Sequence, residues 1–285
     1  MELLTTIAEV RQWRATNRQV PVAACYTMGA LHDGHASLMR YARDFIARHH
    51  DSECLVVASI FVNPTQFGNA QDLAKYPRTL EADLDVCRAA GVDAVFVPAV
   101  EVMYPPNATG DISVEPGPLG DELEGASRPG HFKGVLTVVA KLFHITTPDF
   151  AFFGEKDFQQ VALIKRMVDE LNFPLEVVAA PTSRDHDGLA LSSRNARLSD
   201  EARLAAHVIP KALEIVRSEL TKGKSIHDAI EAASMCIAEE PQVDLDYLVV
   251  TDKYLGTPPQ SGSARALIAA AVDGVRLIDN IEVKI

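Results

Sequence analysis

The sequence predicts an α/β protein, in which a doubly wound parallel sheet is followed by a smaller C-terminal α+β domain. The main observation is that apolar runs of strand length alternate with segments of helical period up to residue 182. These runs are apolar almost throughout, as in strands that helices cover on both faces. A β-α-β-α order with right-handed crossovers builds a Rossmann-like sheet, and such sheets bind ligands beyond the carboxyl ends of their strands.

The predicted strands and helices of this first domain follow one another along the chain. The apolar runs predict strands at 20–27, 54–62, 92–98, 149–154 and 175–181. The helical period predicts helices at 5–16, 35–49, 79–90, 132–145 and 157–172. Thr5 and Thr79 are expected to be N-caps, and Gly91 is expected to follow the end of a helix.

Two stretches depart from this alternation. Residues 99–130 are rich in Pro and Gly and contain one strand-like piece at 111–116. A long irregular insert in a compact domain is often a functional loop or lid. The second departure is the polar stretch "PTSRDHDGLALSSRN", after which the pattern of the first domain does not return.

The C-terminal part of the chain predicts a different arrangement of helices and strands. Amphipathic helices are expected near 199–220 and 225–239, and strands at 245–251, 264–272 and 275–283, with a hairpin turn at 272–274. We therefore expect residues 1–182 to form a Rossmann-like domain. Residues 183–285 are expected to form a smaller α+β lid domain that begins with a hinge loop.

Composition narrows the class of protein. A net charge of -12 over 285 residues argues against a general nucleic-acid surface, although a few cations still suffice for one anion pocket. The sequence contains no run of 18 apolar residues, so no membrane span is predicted. The N-terminus is acidic and lacks an apolar block, which predicts a cytoplasmic protein. The four cysteines are scattered, without a Cys-x-x-Cys pair, and are expected to be buried small hydrophobes.

The stretch "YTMGALHDGH" leads from the first predicted strand into a helix. Gly29 and Gly34 allow a ligand to approach the backbone closely, and the helix start directs N–H groups at an anion. His32 and His35 can donate to phosphate oxygens, and this placement favours phosphate binding. Two alternatives stay open, namely a metal pair that still needs a third ligand and a simple helix cap.

Amide side chains follow the second predicted strand, in "FVNPTQFG". Asn63 and Gln66 stand where a ligand crevice is expected, and carboxamides can bind hydroxyl, carboxylate or amine groups because they both donate and accept. The alternative is that Asn-Pro merely makes a turn.

A third polar group, "FFGEKDFQQ", again joins a strand to a helix. Lys156 suits a phosphate, Asp157 could hold a magnesium-bound phosphate, and Gln159 or Gln160 would reach the crevice from the first helical turn. The alternative is that the acids only stabilise the N-terminus of the helix.

The fourth group lies on the predicted hinge loop, in "GLALSSRN". Two hydroxyls and Arg194 suit closure over a polyphosphate, because arginine stays charged and binds oxygens bidentately; a polar linker is the alternative. "RPGHFKG" adds Arg128, His131 and Lys133, of which Lys133 fits a solvated surface. The four groups together predict a nucleoside triphosphate site without a P-loop motif. Histidines and a Ser/Arg loop on the phosphates suit attack at the α-phosphate, which gives an adenylate and pyrophosphate.

Seven motifs carry a resemblance over nearly the whole chain: "YTMGALHDGH", "FVNPTQFG", "YPRTLEADL", "HFKGVLTVVAKLF", "FFGEKDFQQVALIKRMV", "DGLALSSRN" and "RLIDNIEV". In this order they resemble the pantothenate synthetases (pantoate–β-alanine ligases), which share a "HIGH"-type signature with other nucleotidyltransferases and class I aminoacyl-tRNA synthetases. The resemblance implies that pantoate and ATP form pantoyl adenylate and pyrophosphate. The amine of β-alanine then displaces AMP, which gives pantothenate.

The resemblance also implies site residues. The ATP site would comprise Met28, Gly29, Ala30, Leu31, His32, Asp33, Gly34, His35, Gly154, Glu155, Lys156, Asp157, Ser183, Leu191, Ser192, Ser193 and Arg194. Catalytic roles fall on His32, His35, Lys156 and Arg194. Pantoate would contact Met28, Gln66 and Gln160, and β-alanine would contact Asn63, Gln66 and Arg128.

The family's cofactor and partners are implied in the same way. Mg²⁺ would arrive with ATP, with Asp157 as its candidate protein contact and no tightly bound, protein-ligated metal. A homodimer acting on small molecules is implied, with neither nucleic acid nor membrane as a partner. His35 would be the proton donor.

Three positions differ from the family pattern. Tyr26 replaces a usual Pro beside the expected pantoate pocket, Ser183 replaces a common Val, and Ala82 stands where some members have an acid. Two other functions are conceivable: an adenylyltransferase acting on a nucleotide or phosphopantetheine, and a non-catalytic nucleotide-binding module. The former has no need for "NPTQF" or "GEKDFQQ", and intact candidate residues argue against the latter. Acidity and the lack of an anticodon-domain-sized extension argue against a tRNA synthetase.

Overall fold

The structure is a computed structural model that describes residues 1–50, 53–68, 70–106 and 112–285. The chain divides into two compact units. The first unit consists of Met1–Gly154 and Leu163–Ala180, and the second of Glu155–Ala162 and Pro181–Ile285. The division expected between residues 182 and 183 stays a prediction.

The first unit is built on a wholly parallel sheet. Its six strands are β1 (Glu2–Leu4), β2 (Val22–Thr27), β3 (Leu55–Ile60), β4 (Ala94–Phe96), β5 (Phe150–Gly154) and β6 (Glu176–Ala180), in the order β1-β4-β3-β2-β5-β6. The predicted fold class is confirmed. The winding direction changes between β2 and β5, so Thr27 and Gly154 end neighbouring strands at the edge where such sheets bind ligands. Only the short edge strand β1 was not predicted.

Helices cover this sheet. They are α1 (Ile7–Thr16), α2 (Asp33–His50), α3 (Ala70–Lys75), α4 (Leu80–Ala89), α5 (Val100–Met103), α6 (Glu124–Ser127), α7 (His131–Thr146) and α8 (Phe158–Glu170), of which α8 belongs to the second unit up to Ala162. The five predicted helices correspond to α1, α2, α4, α7 and α8. Helices α3, α5 and α6 were not predicted because one or two turns carry little periodicity.

Helix ends follow local hydrogen bonding. Thr6, and not the predicted Thr5, caps α1, because its hydroxyl accepts the N–H of Glu9 at 3.2 Å while the Glu9 carboxylate accepts the N–H of Thr6 at 3.0 Å. Thr79 precedes α4 as expected but makes no side-chain cap. Gly91 follows α4 with φ of +79°, as predicted.

The predicted irregular insert at 99–130 is only partly described, because residues 107–111 lie outside the described residues. Residues 112–116, which the sequence suggested as strand-like, form no strand. The remainder contains α5, a 3-10 turn at Pro118–Asp121 and α6.

The core of the first unit accounts for three of the cysteines. Cys25, Cys54 and Cys87 are buried free thiols between the sheet and α2 and α4, as predicted. Burial raises the pKa of Cys87 to about 11 and raises the pKa of Cys25 further. Since the reactive form of cysteine is the thiolate, burial disfavours reaction at these thiols.

The second unit packs helices on an antiparallel sheet. Its helices are α9 (Asp200–Ala206), α10 (Val208–Thr221) and α11 (Ile226–Ala238), and its strands, in this order in the sheet, are β7 (Val243–Thr251), β8 (Ser263–Val272) and β9 (Val275–Lys284). Asp273 and Gly274 form the predicted hairpin turn with φ of +47° and +74°. The helical stretch predicted near 199–220 is present, with an interruption at His207. Pro210 cannot donate to the carbonyl of Ala206, so the chain breaks into two helices at His207.

The length and polarity of the helices can be compared with the expectation that no segment spans a membrane. In the described ranges, no helix is both long and apolar enough to cross a membrane.

Candidate active site

The loop after β2 has an unusual backbone. Gly29 and Ala30 both have positive φ, +83° and +51°. The hydroxyl of Thr27 donates to the Ser59 carbonyl at 2.7 Å and accepts the N–H of Gly29 at 3.3 Å. These contacts turn the chain sharply from the end of β2 into α2, which starts at Asp33.

Asp83, on α4, holds this loop in place. Its side chain is 2% exposed, and its carboxylate accepts the N–H of Ala30 at 3.1 Å and that of Leu31 at 2.7 Å. A Cβ at Gly29 would lie 2.9 Å from the same carboxylate, so glycine is required there for packing as well as for φ. The sequence did not assign this role to Asp83. Its place in "YPRTLEADL" was the only signal.

His32 and His35 lie at the start of α2 with ring centroids 4.2 Å apart. The Nδ1 atom of His32 accepts the N–H of Gly34 at 3.2 Å, and Nδ1 of His35 accepts the N–H of His32 at 3.3 Å. Because an accepting ring nitrogen carries no proton, each neutral ring has its N–H at Nε2. Capping through Nδ1 and phosphate binding through Nε2 are therefore compatible.

Gln66 follows β3, the neighbour of β2 in the sheet, and lies beside the first loop. Its Nε2 atom donates to the sulfur of Met28 at 2.9 Å, which joins the two predicted motifs. Asn63 is 1% exposed and supports Gln66, because its Nδ2 donates to the Gln66 side-chain oxygen at 3.0 Å and to the Gly134 carbonyl at 3.2 Å. Both hydrogens of the Asn63 amide are thus used inside the protein.

Tyr104, which the sequence did not suggest, completes this amide cluster. Its hydroxyl donates to the Oδ1 atom of Asn63 at 2.9 Å. Burial raises the pKa of Tyr104, which keeps that donor proton in place. The residue lies in the Pro- and Gly-rich insert, where no periodicity marks it.

Arg128 and His131 also reach this cluster. The Nδ1 atom of His131 lies 2.9 Å from the Gln66 carbonyl, and its Nε2 lies 2.9 Å from an Arg128 nitrogen. The structure thus brings Met28, Asn63, Gln66 and Arg128, four predicted binding residues, into one hydrogen-bonded set.

Tyr26, the departure from the family pattern, packs on α7. Its hydroxyl shares a 2.7 Å hydrogen bond with Thr146, and its ring lies 5.8 Å from Phe143 and 6.2 Å from Phe153 between centroids. Burial raises the pKa of Tyr26. The side chain therefore ties β2 to α7, and its effect on the pantoate pocket stays a prediction.

In the second unit, predicted phosphate-binding residues line a cleft. Its lining includes Lys156, Ser192, Arg194, Asn195 and Arg276. The Lys156 side chain is 18% exposed, and its ammonium lies 3.7 Å from the Asp157 carboxylate. The Arg276 guanidinium binds the Asp246 carboxylate at 2.6 Å. Lys156, Arg194 and the Ser192 hydroxyl are therefore the lining groups that suit a polyphosphate. The sequence did not suggest Asn195 or Arg276, since neither stood out from its surroundings.

The turn that carries Lys156 is fixed by β8 and β9. Nδ2 of Asn280 donates to the carbonyls of Glu155 and Lys156, each at 2.9 Å. Arg265 donates to Asn280 at 2.7 Å and to the Glu155 carboxylate at 3.1 Å. Within the following helix turn, Gln159 is 3% exposed, whereas Gln160 is half-buried. Gln160 is thus the more accessible of the two amides.

The loop before Ser192 has a fixed base. The guanidinium of Arg184 binds the Asp279 carboxylate bidentately at 2.6 and 2.9 Å, and the N–H of Leu191 donates to the Ser183 carbonyl at 2.9 Å. The Arg203 guanidinium donates to the Asp185 carboxylate at 2.5 Å and to the Asp187 carboxylate at 2.7 Å. The loop thus starts from an ordered ion-pair network.

This network predicts a pH dependence at Asp185. Hydrogen bonds from the His186 side chain and backbone, and then from Arg203, lower the Asp185 pKa from its ordinary 3.8 to about 2. Because the folded-state pKa is depressed, this stabilisation is complete above pH 3.8 and is lost as the pH falls through about 2. An NMR titration of the Asp185 carboxyl carbon is expected to show a midpoint near 2.

A pair of histidine variants tests the cause of that shift. His186→Ala should raise the midpoint, because it removes the largest contribution, and His227→Ala, at an exposed position on α11, should leave it unchanged. An Asp185 midpoint at 3.8 in the unmodified protein would contradict the network.

Comparisons with known proteins cover both units. A family profile described as pantoate-beta-alanine ligase matches residues 2–282. Pantothenate synthetase from Saccharopolyspora erythraea is 51% identical over 270 residues, which are 95% of this chain and 85% of that protein. Pantothenate synthetase from Thermus thermophilus has a solved structure that matches with a TM-score of 0.87 at 43% identity, covering 99% of each chain. The structure of pantoate-beta-alanine ligase from Francisella tularensis, complexed with beta-gamma ATP and beta-alanine, matches with a TM-score of 0.77 at 33% identity, covering 99% of this chain and 97% of that one.

Proposed function

The chain belongs to the pantoate–β-alanine ligase family, and we propose that it joins pantoate to β-alanine in two steps at the residues described above. In the first step a pantoate carboxylate oxygen attacks the α-phosphate of ATP, which releases pyrophosphate and forms pantoyl adenylate. In the second step the β-alanine amine attacks the acyl carbon, and AMP leaves with the P–O oxygen. The observation that carries this proposal is the cationic cleft of Lys156, Ser192 and Arg194 in a chain of this family.

The proposed ATP contacts are those that offset the negative charge of the triphosphate. Pantoate and the triphosphate are both anions, so their approach is repulsive unless cations offset it. Lys156 and Arg194 supply fixed positive charge, and Ser192 and Ser193 add side-chain hydroxyl groups. Gly154, Glu155, Asp157, Ser183 and Leu191 are kept as further nucleotide contacts. Glu155 would act through its backbone, because its carboxylate binds Arg265.

The loop after β2 is proposed to bind the phosphates through its two histidine side chains. His32 and His35 would donate hydrogen bonds from Nε2, and the hydrogen bond from His35 would stabilise the charge on a phosphate oxygen in the transition state. Met28, Gly29, Ala30, Leu31, Asp33 and Gly34 complete the predicted set. The N–H groups of Ala30 and Leu31 donate to Asp83, so these two residues would contribute by shaping the loop.

We assign the amine substrate, and part of the pantoate contacts, to the amide cluster. Gln66 and Met28 would bind pantoate, with Gln66 donating and accepting through capacity that Met28 and Asn63 leave unused. Gln160, in the second unit, is kept as a further predicted pantoate contact. Arg128 would pair with the carboxylate of β-alanine. Asn63 would contribute mainly by holding Gln66, since its own amide hydrogens are taken.

Magnesium is proposed to enter on ATP. Across the described ranges, no group of three or more His, Cys, Asp and Glu side chains is arranged to hold a metal ion. Magnesium often needs only one or two carboxylates besides phosphates, and the Asp157 side chain, 50% exposed, fits that role. The ion would neutralise phosphate charge.

Assembly and location complete the proposal. We infer a homodimer in the cytoplasm, with residues 1–182 binding nucleotide and pantoate and residues 183–285 acting as a lid. A lid would protect the acyl adenylate from water, which otherwise hydrolyses the mixed anhydride.

The substrate dependence of pyrophosphate release tests this function. Purified protein with ATP and Mg²⁺ should release pyrophosphate only when pantoate is present, because the pantoate carboxylate is the nucleophile. Sustained turnover and pantothenate should require β-alanine as well. Release with ATP alone, or with phosphopantetheine or a nucleotide in place of pantoate, would overturn the assignment; alanine in place of β-alanine is the matched control for the second step.

A further inference from the structure

His131 joins two parts of the amide cluster through one ring. It is the first residue of α7 and is 8% exposed. Its Nδ1 atom lies 2.9 Å from the carbonyl oxygen of Gln66, and its Nε2 atom lies 2.9 Å from a guanidinium nitrogen of Arg128. The sequence placed His131 near Arg128 but gave it no role.

The partners of the ring determine its protonation. A carbonyl oxygen can only accept, so Nδ1 must carry a hydrogen and donate it to Gln66. A guanidinium can only donate, so Nε2 must accept from Arg128 with its lone pair. The neutral tautomer with its hydrogen on Nδ1 is therefore the one form that satisfies both contacts.

The ring is held on a backbone that cannot shift easily. Helix α7 contacts the turn at Pro64–Gln66 so closely that a Cβ at Gly134 would lie 2.3 Å from the Thr65 carbonyl oxygen. The ring of Phe132 also packs against His131, with centroids 5.1 Å apart. The position of His131 relative to Gln66 is thus set by the fold.

We infer that His131 is a positioning residue for the second step, which holds the Arg128 guanidinium ready for the carboxylate of the amine substrate. This inference rests on the proposed function, in which Arg128 binds that carboxylate. Arginine has many rotamers, and a substrate that must order its partner binds more weakly. The hydrogen bond from Arg128 to Nε2 removes part of that cost before β-alanine arrives.

Two substitutions separate the two contacts of the ring. In His131→Asn the side-chain amide can replace the Nδ1–H donor to Gln66, but the hydrogen bond that Nε2 accepts from Arg128 is lost. In His131→Gln the side-chain oxygen reaches farther and can accept from Arg128, while the donor to Gln66 is lost. We expect His131→Asn to raise the KM for β-alanine about tenfold, as for loss of one charge-assisted hydrogen bond. His131→Gln should return that KM to within about twofold of the unmodified protein.

The rate of the adenylation step is the reference against which the effect of each His131 variant on the β-alanine step is judged. Single-turnover formation of pantoyl adenylate from pantoate and ATP should stay within about twofold in His131→Asn, because Gln66 keeps its contact. His144→Asn, at an exposed position of the same helix, is the matched control and should change neither quantity. Equal losses in adenylation and in β-alanine KM, or an unchanged β-alanine KM, would overturn the inference.

A double-mutant cycle checks that His131 acts through Arg128. In an Arg128→Ala background, His131→Asn should cause no further rise in the β-alanine KM, whereas additive effects would contradict the coupling. If His131→Asn does not fold, His131→Gln decides the question, since a raised β-alanine KM in that variant also overturns it. Failure of the proposed function is distinguishable, because the unmodified protein would then show no pantoate-dependent pyrophosphate release.

Discussion

Lys156→Ala is expected to slow pantoyl-adenylate formation by about 10²–10³-fold, the usual cost of removing one charged group from a transition state. Lys156 lies in the cleft with Ser192 and Arg194, and its side chain is 18% exposed. Its charge would offset the repulsion between the pantoate carboxylate and the triphosphate at the moment of attack. The measurement is single-turnover adenylate formation by rapid quench at saturating ATP and pantoate.

Two further variants serve as controls for the Lys156→Ala rate measurement. Lys165→Ala removes the same charge from an exposed position on α8 and should leave the rate unchanged. Lys156→Arg keeps the charge but changes its shape, so part of the rate should return. The melting temperature of Lys156→Ala should stay close to that of the unmodified protein, because the Asn280 contacts reach the backbone of this turn and not the ammonium. A normal adenylation rate in Lys156→Ala would rule out the assigned role.

Much of the fold was predictable because the apolar runs of the sequence mark the buried strands. Residues 22–25 in β2 are completely buried, as expected for a strand covered on both faces. The rule that ligands bind at the carboxyl ends of parallel strands then directed attention to "TMGALHDGH" and "NPTQFG". The two motifs do lie side by side, since Gln66 donates to Met28 across two neighbouring strands, and their roles in ligand binding stay a prediction.

The residues that hold these motifs were not predictable from local pattern. Asp83 binds Leu31 from 52 positions away, and Asn280 binds the Glu155 carbonyl from 125 positions away. An acid on a helix and an amide on a strand look like surface residues until the chain folds. Their burial becomes visible only with the tertiary structure, in which Asp83 and Asn280 are each 2% exposed.

The chemical role of a residue is therefore easier to predict from the sequence than the residues that hold it in position. A phosphate-binding role for Lys156 could be predicted from its neighbours in "GEKDFQQ", because a cation at a strand-to-helix junction suits phosphate. The side chains that orient it lie on β8 and β9, the last strands of the chain. The same holds for Gln66, which depends on Tyr104 and Asn63 together.

Gly134→Ala is expected to destabilise the fold and damage the pantoate site together. Gly134 lies inside α7, where alanine would ordinarily stabilise a helix by about 1 kcal/mol. Here the new Cβ would lie 2.3 Å from the Thr65 carbonyl oxygen and 2.8 Å from the backbone nitrogen of Gln66. Backbone atoms cannot rotate away, so α7 and the turn must separate, at a cost of about 1–3 kcal/mol for an overpacked core.

Urea unfolding followed by circular dichroism measures the first effect, and the KM for pantoate measures the second. The free energy of unfolding should fall despite the higher helix propensity of alanine, and the pantoate KM should rise because the displaced turn carries Gln66. Gly68→Ala is the matched control, since its Cβ would have no atom within 4 Å and should change neither quantity. A more stable Gly134→Ala protein would mean that helix propensity outweighs the contact between α7 and the turn. In that case neither Gln66 nor His131 would be held by this packing, because both depend on α7 lying against the Pro64–Gln66 turn.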